Sequence, residues 1–124
     1  VIALLTRERG HEQLESFLDA ASSLVMCPAT VVETDIVMEA RNGAEGRWAV
    51  DRLVTDLQIE VIPLDADRAR TALDGWRLFG KGRHAASLNL GDCFTYALAV
   101  ATGYPVLCTG NGFVRTDVEV RRPD

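Results

Sequence analysis

Leu14, Phe17 and Leu18 fall on one side of a helical projection and predict an amphipathic helix from His11 to Ala21. The short apolar run Leu24 to Cys27, ended by Pro28, reads as a buried strand. A second helix fits Thr30 to Arg41, closed by Asn42-Gly43 as a C-terminal cap. A third fits Glu45 to Leu57, where Val50, Leu53, Val54 and Leu57 keep helical spacing. Ile59 to Leu64 carries a β-branched run and predicts a strand. Asp65 to Phe79 is helical again, with Ala69, Ala72, Leu73 and Trp76 as its apolar stripe. A last helix runs from Gly91 to about Thr102, with Phe94, Ala97, Leu98 and Ala101 inward. Tyr104 to Thr109 and Val118 to Val120 read as further strands. Helices alternating with short apolar strands predict an α/β fold with a mainly parallel sheet. No repeat, low-complexity segment or linker interrupts the pattern, so one domain is expected over 1–124.

Composition narrows the function classes. A length of 124 residues, 48% hydrophobic and 25% charged, is that of an ordinary globular domain. Thirteen basic residues against eighteen acidic give a formal net charge of −5. That balance argues against a protein that coats DNA by neutralising many phosphates. It leaves room for an enzyme whose acidic metal pocket sits beside a small basic patch. No uninterrupted apolar run is long enough to span a bilayer, and no signal-peptide layout opens the chain. Cys27, Cys93 and Cys108 are odd in number, far apart and in apolar surroundings, which suits buried reduced thiols better than disulfides or a zinc knuckle.

The basic residues are unevenly placed. No acid occurs between Gly75 and Gly91, where Arg77, Lys81, Arg83 and His84 all lie. Asp92 then stands in the first turn of the last helix. Gly80-Lys81 is no phosphate-binding P-loop, because Gly82 comes after the lysine instead of Ser or Thr. A Cys–His nucleophile pair built on Cys93 with His84 or His11 is weak, since Cys93 falls inside a helix start and is better explained by packing. The separated acids Glu33, Asp92 and Asp117 each have an ordinary explanation. Glu33 either swings to solvent from an apolar helix or turns inward to something positive, and solvent is favoured. Asp92, with Asn89 and Thr95, suits a cap favoured by the helix dipole. Asp117 is by default an exposed turn acid. Trp48, Trp76, Phe79 and Phe94 are most simply core residues, and the basic loop alone is most simply solvated surface.

Together these fragments resemble the PIN-domain ribonucleases, specifically the VapC toxins of bacterial toxin–antitoxin pairs. The resemblance covers essentially the whole chain and rests on FGKGRHAASLNLGDCFTYALA, PATVVETDIVMEARNG and GNGFVRTDVEV, in the family's order. It implies a small three-layer α/β sandwich with a parallel sheet of four to five strands. It implies a cytoplasmic, Mg²⁺- or Mn²⁺-dependent endoribonuclease that cuts single-stranded or loop RNA, often in tRNA. By position Glu33, Asp92 and Asp117 match the family's metal-binding, catalytic carboxylates. Lys81, Arg83 and His84 would then position the RNA backbone, with Asn89, Asn111 and Thr116 in support. The partners implied are a cognate antitoxin, which inserts a basic residue into the acidic pocket, and a second copy in a homodimer.

Two departures from the family pattern qualify this. In the family the first strand ends Asp-Thr-Ser-Ala and carries a principal metal ligand, and Val1-Ile2-Ala3-Leu4-Leu5 aligns with the segment immediately after that tetrapeptide. The expectation is therefore a domain without that strand, whose aspartate is encoded upstream of Val1. Gly112 stands where the family has an aspartate, and neighbouring Asn111 offers only a neutral oxygen. The rival reading is a non-catalytic PIN-like module that binds antitoxin or RNA without cutting. A more remote one is a small α/β protein with no nucleic-acid role.

Overall fold

The computed structural model describes Leu5 and residues 8–123. The reading of Val1 to Leu4 lies outside the described residues. The chain divides into two compact units, one running to Ile62 and joined by Pro123, the other Pro63–Arg122.

In the first unit, α1 (His11–Ala20) buries Leu14 and half-buries Phe17 and Leu18, the face its periodicity selects. The strand β1 (Val25–Met26) leads to α2 (Pro28–Asp56), and β2 (Glu60–Val61) returns parallel to β1 in the register Val25↔Glu60 and Met26↔Val61. A helical crossover of this kind is what a parallel pair requires. Pro28 sits at the start of α2, where its missing N–H costs nothing. The two predicted helices form one run, broken in the middle at Gly43, whose φ of 64° and ψ of −151° are non-helical. Gly43 therefore makes a kink within one run rather than the C-terminal cap expected of Asn42-Gly43. The halves fold back on each other, so closely that a Cβ on Gly46 would lie 2.2 Å from the Met38 carbonyl oxygen. Val50 is fully buried and Leu53, Val54 and Leu57 half-buried, as their spacing predicts.

In the second unit, α3 (Ala66–Phe79) begins at Asp65, whose side chain accepts from the Arg68 N–H at 2.8 Å. The helix α4 (Leu90–Thr102) packs along it, with β3 (Val106–Leu107), a short 3₁₀ turn (Phe113–Arg115) and β4 (Val120–Arg121) after it. β3 and β4 pair in parallel, Val106↔Val120 and Leu107↔Arg121. The core gathers Ala72, Ala86, Leu88, Cys93, Tyr96, Ala97, Ala99, Val106 and Phe113.

The fold class is α/β with parallel strand pairs, as expected. The ladders are shorter than the apolar runs that announce them, because a run records burial while a ladder also needs a partner. Pro63 and Pro105, flanking β2 and β3, have no N–H to give.

Two expectations about buried faces need correction. Trp48 and Trp76 are 55% and 41% exposed rather than core, and Ala69 and Leu73 are exposed with them. The buried face of α3 is Ala72 and Gly75, with Phe79 packed against the core. The cause is Gly75: a Cβ there would lie 2.6 Å from a ring carbon of Tyr96, so the bare glycine admits the tyrosine and sets which face of α3 meets α4. On α4, Ala101 is exposed, while Cys93, Tyr96 and Ala99 join Ala97 and Leu98 inside. Cys27 and Cys93 are buried thiols, Cys108 is half-buried, and no disulfide links them.

Candidate functional site

Asp92 owes its position to a reciprocal cap. Asn89 Oδ1 accepts from the Asp92 N–H at 2.9 Å, and the Asn89 N–H donates to Asp92 Oδ2 at 3.1 Å. This capping box satisfies the orphan donors of the first turn of α4 and fixes the carboxylate at the positive end of the helix. Both bonds use one edge of the residue, leaving Oδ1 outside the box. Capping and metal binding are therefore compatible, not rival, readings of Asp92. Burial pushes the neighbouring Cys93 thiol up, and Asp92 adds to the rise. A thiol held protonated in this way is a poor nucleophile, which removes the Cys93–His reading.

Tyr96 brings Asp117 into the same neighbourhood. It lies four residues beyond Asp92 on α4, hence on the same helix face. The exposed Asp117 carboxylate acts on its hydroxyl. Burial first, then Asp117 and the charge of Asp74, push the Tyr96 hydroxyl up to about 12. It stays protonated, a neutral neighbour of the carboxylate. Thr116 shapes the approach: its Oγ1 donates to the Phe113 carbonyl at 2.7 Å and accepts from the Val118 N–H at 3.3 Å. Asn111 is engaged elsewhere, with Oδ1 accepting from Arg122 Nη1 at 2.5 Å. The backbone around Gly112 also has a packing reason to lack a side chain, since a Cβ there would lie 2.8 Å from the Ala86 carbonyl oxygen.

Glu33 lies on α2 in the first unit and is exposed, the favoured reading. The inward-turned acid of that helix is Asp35, whose Oδ1 is buried without a hydrogen-bond partner. Burial pushes the Asp35 carboxyl up, Asp51 and Glu39 push the same way, and Arg47 opposes them. Among the described residues no three His, Cys, Asp or Glu side chains gather into a group able to hold a metal ion unaided. The donors that do stand ready, Asp92 and Asp117, are hard carboxylate oxygens. Such a sparse, hard set suits Mg²⁺, which takes one or two protein carboxylates, keeps several waters and completes its shell with substrate phosphate.

The basic loop is a folded object rather than a loose strand of charge. The Leu88 N–H donates to the Phe79 carbonyl at 3.0 Å and the Lys81 N–H to the Leu88 carbonyl at 2.9 Å, closing the loop at its neck. Gly82 turns the chain with φ +84°, a conformation that side chains resist. Arg83 lays its guanidinium 4.7 Å from the centre of the Trp76 ring and donates from Nε to the Arg77 carbonyl at 3.2 Å. His84 meets Phe79 edge to face at 5.2 Å, and its Nδ1 accepts from the Ala86 N–H at 3.0 Å. His84 thus serves the loop's shape. Lys81 and Arg83 are exposed, and Arg77 pairs with Asp74 at 3.7 Å across the surface of α3.

The PIN domain family model matches residues 1–119. The chain belongs to the PIN-domain family, among its VapC ribonucleases. It is 41% identical over 118 residues to Ribonuclease VapC of Mycolicibacterium smegmatis, covering 95% of this chain and 92% of that one. Ribonuclease VapC36 of Mycobacterium tuberculosis is 41% identical over 122 residues, 98% of this chain and 88% of that one. Ribonuclease VapC30 of the same species is 37% identical over 118 residues, covering 95% and 90%.

Tyr96 and Trp76 are the neighbours of the candidate residues that periodicity alone misses. The four-residue step from Asp92 to Tyr96 is visible in the sequence. The nearness of Asp117 to Tyr96 and the seat that Trp76 gives Arg83 depend on tertiary contacts that no local pattern encodes. Among the described residues no helix is long and apolar enough to cross a membrane.

Proposed function

We propose that this PIN-domain chain is a metal-dependent endoribonuclease toxin of the VapC type, acting in the cytoplasm on single-stranded or loop RNA such as tRNA. The observation that carries the reading is Asp92, a carboxylate fixed by a capping box at the N-terminus of α4, with the Asp117 carboxylate acting on Tyr96 one turn further along. Asp92 and Asp117 would hold Mg²⁺ or Mn²⁺, and Glu33 is the further carboxylate that its match to the family's motif suggests. When bound there, such an ion supplies charge neutralisation at the attacked phosphate and a more acidic water. The chain's own part is to aim the carboxylates and hold the backbone. Asn89 locks Asp92, Tyr96 sets a neutral hydroxyl beside Asp117, and Lys81 and Arg83 draw the RNA phosphates. His84 shapes the loop that carries them. The partners that fit this reading are a cognate antitoxin, whose basic side chain would occupy the carboxylates, and a second copy of the chain.

Asp92→Asn tests it. The amide oxygen can still accept from the Asn89 N–H, so the helix cap and the fold should persist while the charge is lost. Mg²⁺- and Mn²⁺-dependent cleavage of tRNA should vanish in a variant with an unchanged circular-dichroism spectrum and melting temperature. Cleavage that survives in that well-folded variant removes Asp92 from the catalytic set.

A further inference from the structure

Trp76 is large, apolar and 41% exposed, on the surface where a core position was expected. Its indole is nevertheless fixed. A Cβ on Gly80 would lie 2.5 Å from Trp76 Cδ1, so one edge of the ring rests on bare glycine backbone. Arg83 covers part of the ring, with its guanidinium 4.7 Å from the ring centre and its Nε tied to the Arg77 carbonyl. A surface tryptophan held in one orientation by a glycine and an anchored arginine differs from a solvated side chain free to rotate.

Along residues 74–84 the charge is cationic: Arg77, Lys81 and Arg83 against Asp74, which pairs with Arg77. An exposed aromatic ring within a cationic rim is the elementary unit of single-strand recognition, because every base has a π-face and every nucleotide a phosphate. A purely apolar protein partner would gain from the indole but would have to strip water from Lys81 and Arg83. A nucleic acid gains from both.

We propose that Trp76, propped by Gly80 and Arg83, is a stacking platform for an unpaired RNA base. This rests on the ribonuclease reading and refines it: Arg83 steadies the platform, while Lys81 is the freer phosphate contact. The platform would select substrates with a splayed base at a fixed place relative to the basic loop, hence loops over duplexes.

The test uses the full chain in a chelator, so that binding is read without cleavage. In a Trp48→Phe background the indole emission reports on Trp76 alone, since the chain has two tryptophans. Short single-stranded oligoadenylate should quench that emission, and an abasic ribose-phosphate chain of equal length should not. Trp76→Leu should weaken oligoadenylate binding by roughly 5- to 150-fold, the range for loss of one base–aromatic stack. The same change should leave abasic binding unaltered, and Trp76→Tyr should restore most of the loss. The quenching arm keeps Trp76 in place, so it stands even if Trp76→Leu misfolds. Oligoadenylate binding without quenching, equal in Trp76→Leu and the parent, overturns the platform and leaves the ribonuclease reading intact. Failure of both RNAs to bind in chelator overturns the platform, and absence of tRNA cleavage once Mg²⁺ is restored overturns the ribonuclease reading as well. An emission shift that tracks protein concentration in the absence of RNA makes this face a contact between copies and also overturns the proposal.

Discussion

Tyr96 sits where burial, the Asp117 carboxylate and the charge of Asp74 all act in one direction, and its hydroxyl is pushed up to about 12. The ordinary phenol loses its proton near pH 10, about the value expected in the unfolded chain. The folded state therefore grips this proton more tightly than the unfolded state does. The stability linked to it is fully present below about pH 10 and is lost as pH rises through about 12, a total of roughly 2–3 kcal/mol. Comparing alkaline unfolding of the parent with Tyr96→Phe isolates this component, because the variant has no proton to lose. A phenolate absorbance titration in Tyr104→Phe, which leaves Tyr96 as the sole tyrosine, should show its midpoint well above that of a free phenol. Asp117→Asn should lower that midpoint only partly, since burial is the larger cause. A midpoint unmoved by Asp117→Asn would mean that Asp117 does not act on Tyr96, and Asp117 would lose its link to the face of α4 that bears Asp92.

At the scale of elements, α2 tests how far sequence reading reaches. Its break was legible, because Asn42-Gly43 interrupts two periodic segments. Its geometry was not: φ 64° with ψ −151° is a region essentially reserved for glycine and is no helix cap. Gly43→Ala should therefore cost about 1–3 kcal/mol through backbone strain alone, as nothing lies within 4 Å of the added methyl. Gly46→Ala should destabilise by a different route, driving a methyl into the Met38 carbonyl and prising the two halves of the helix apart. Urea unfolding of the two variants checks this, and a neutral Gly43→Ala would show that the kink relaxes freely. The same distinction governs α3 and α4. The capping box at Asn89 and Asp92 could be read from residue types and spacing, since it is purely local. The buried face of α3 could not, because Gly75 leaves no mark on a hydrophobic pattern that Leu73 and Trp76 dominate. Glu33, Asp92 and Asp117 could be proposed from the motifs, whereas the nearness of Tyr96 to Asp117 depends on a contact between distant turns.

For the whole molecule, a net charge of −5 sets the terms on which RNA can bind. A chain that repels polyanions on average must concentrate its attraction, and the acid-free stretch between Gly75 and Gly91 is where it does so. Few phosphates are engaged in such an arrangement, so affinity for single-stranded RNA should fall only gently with salt. Each phosphate contact removed lowers the log–log slope by roughly 0.7 for a single strand. Lys81→Ala should produce about one such step while leaving the melting temperature unchanged, because exposed charges contribute little to stability. Arg83→Ala should do more than Lys81→Ala on RNA that carries bases, since it also removes the cation seated on Trp76, and no more than Lys81→Ala on an abasic chain. Binding titrations in chelator across a series of salt concentrations separate the two residues. A slope untouched by Lys81→Ala would return that residue to ordinary surface, and the electrostatic attraction would then have to come from outside the loop.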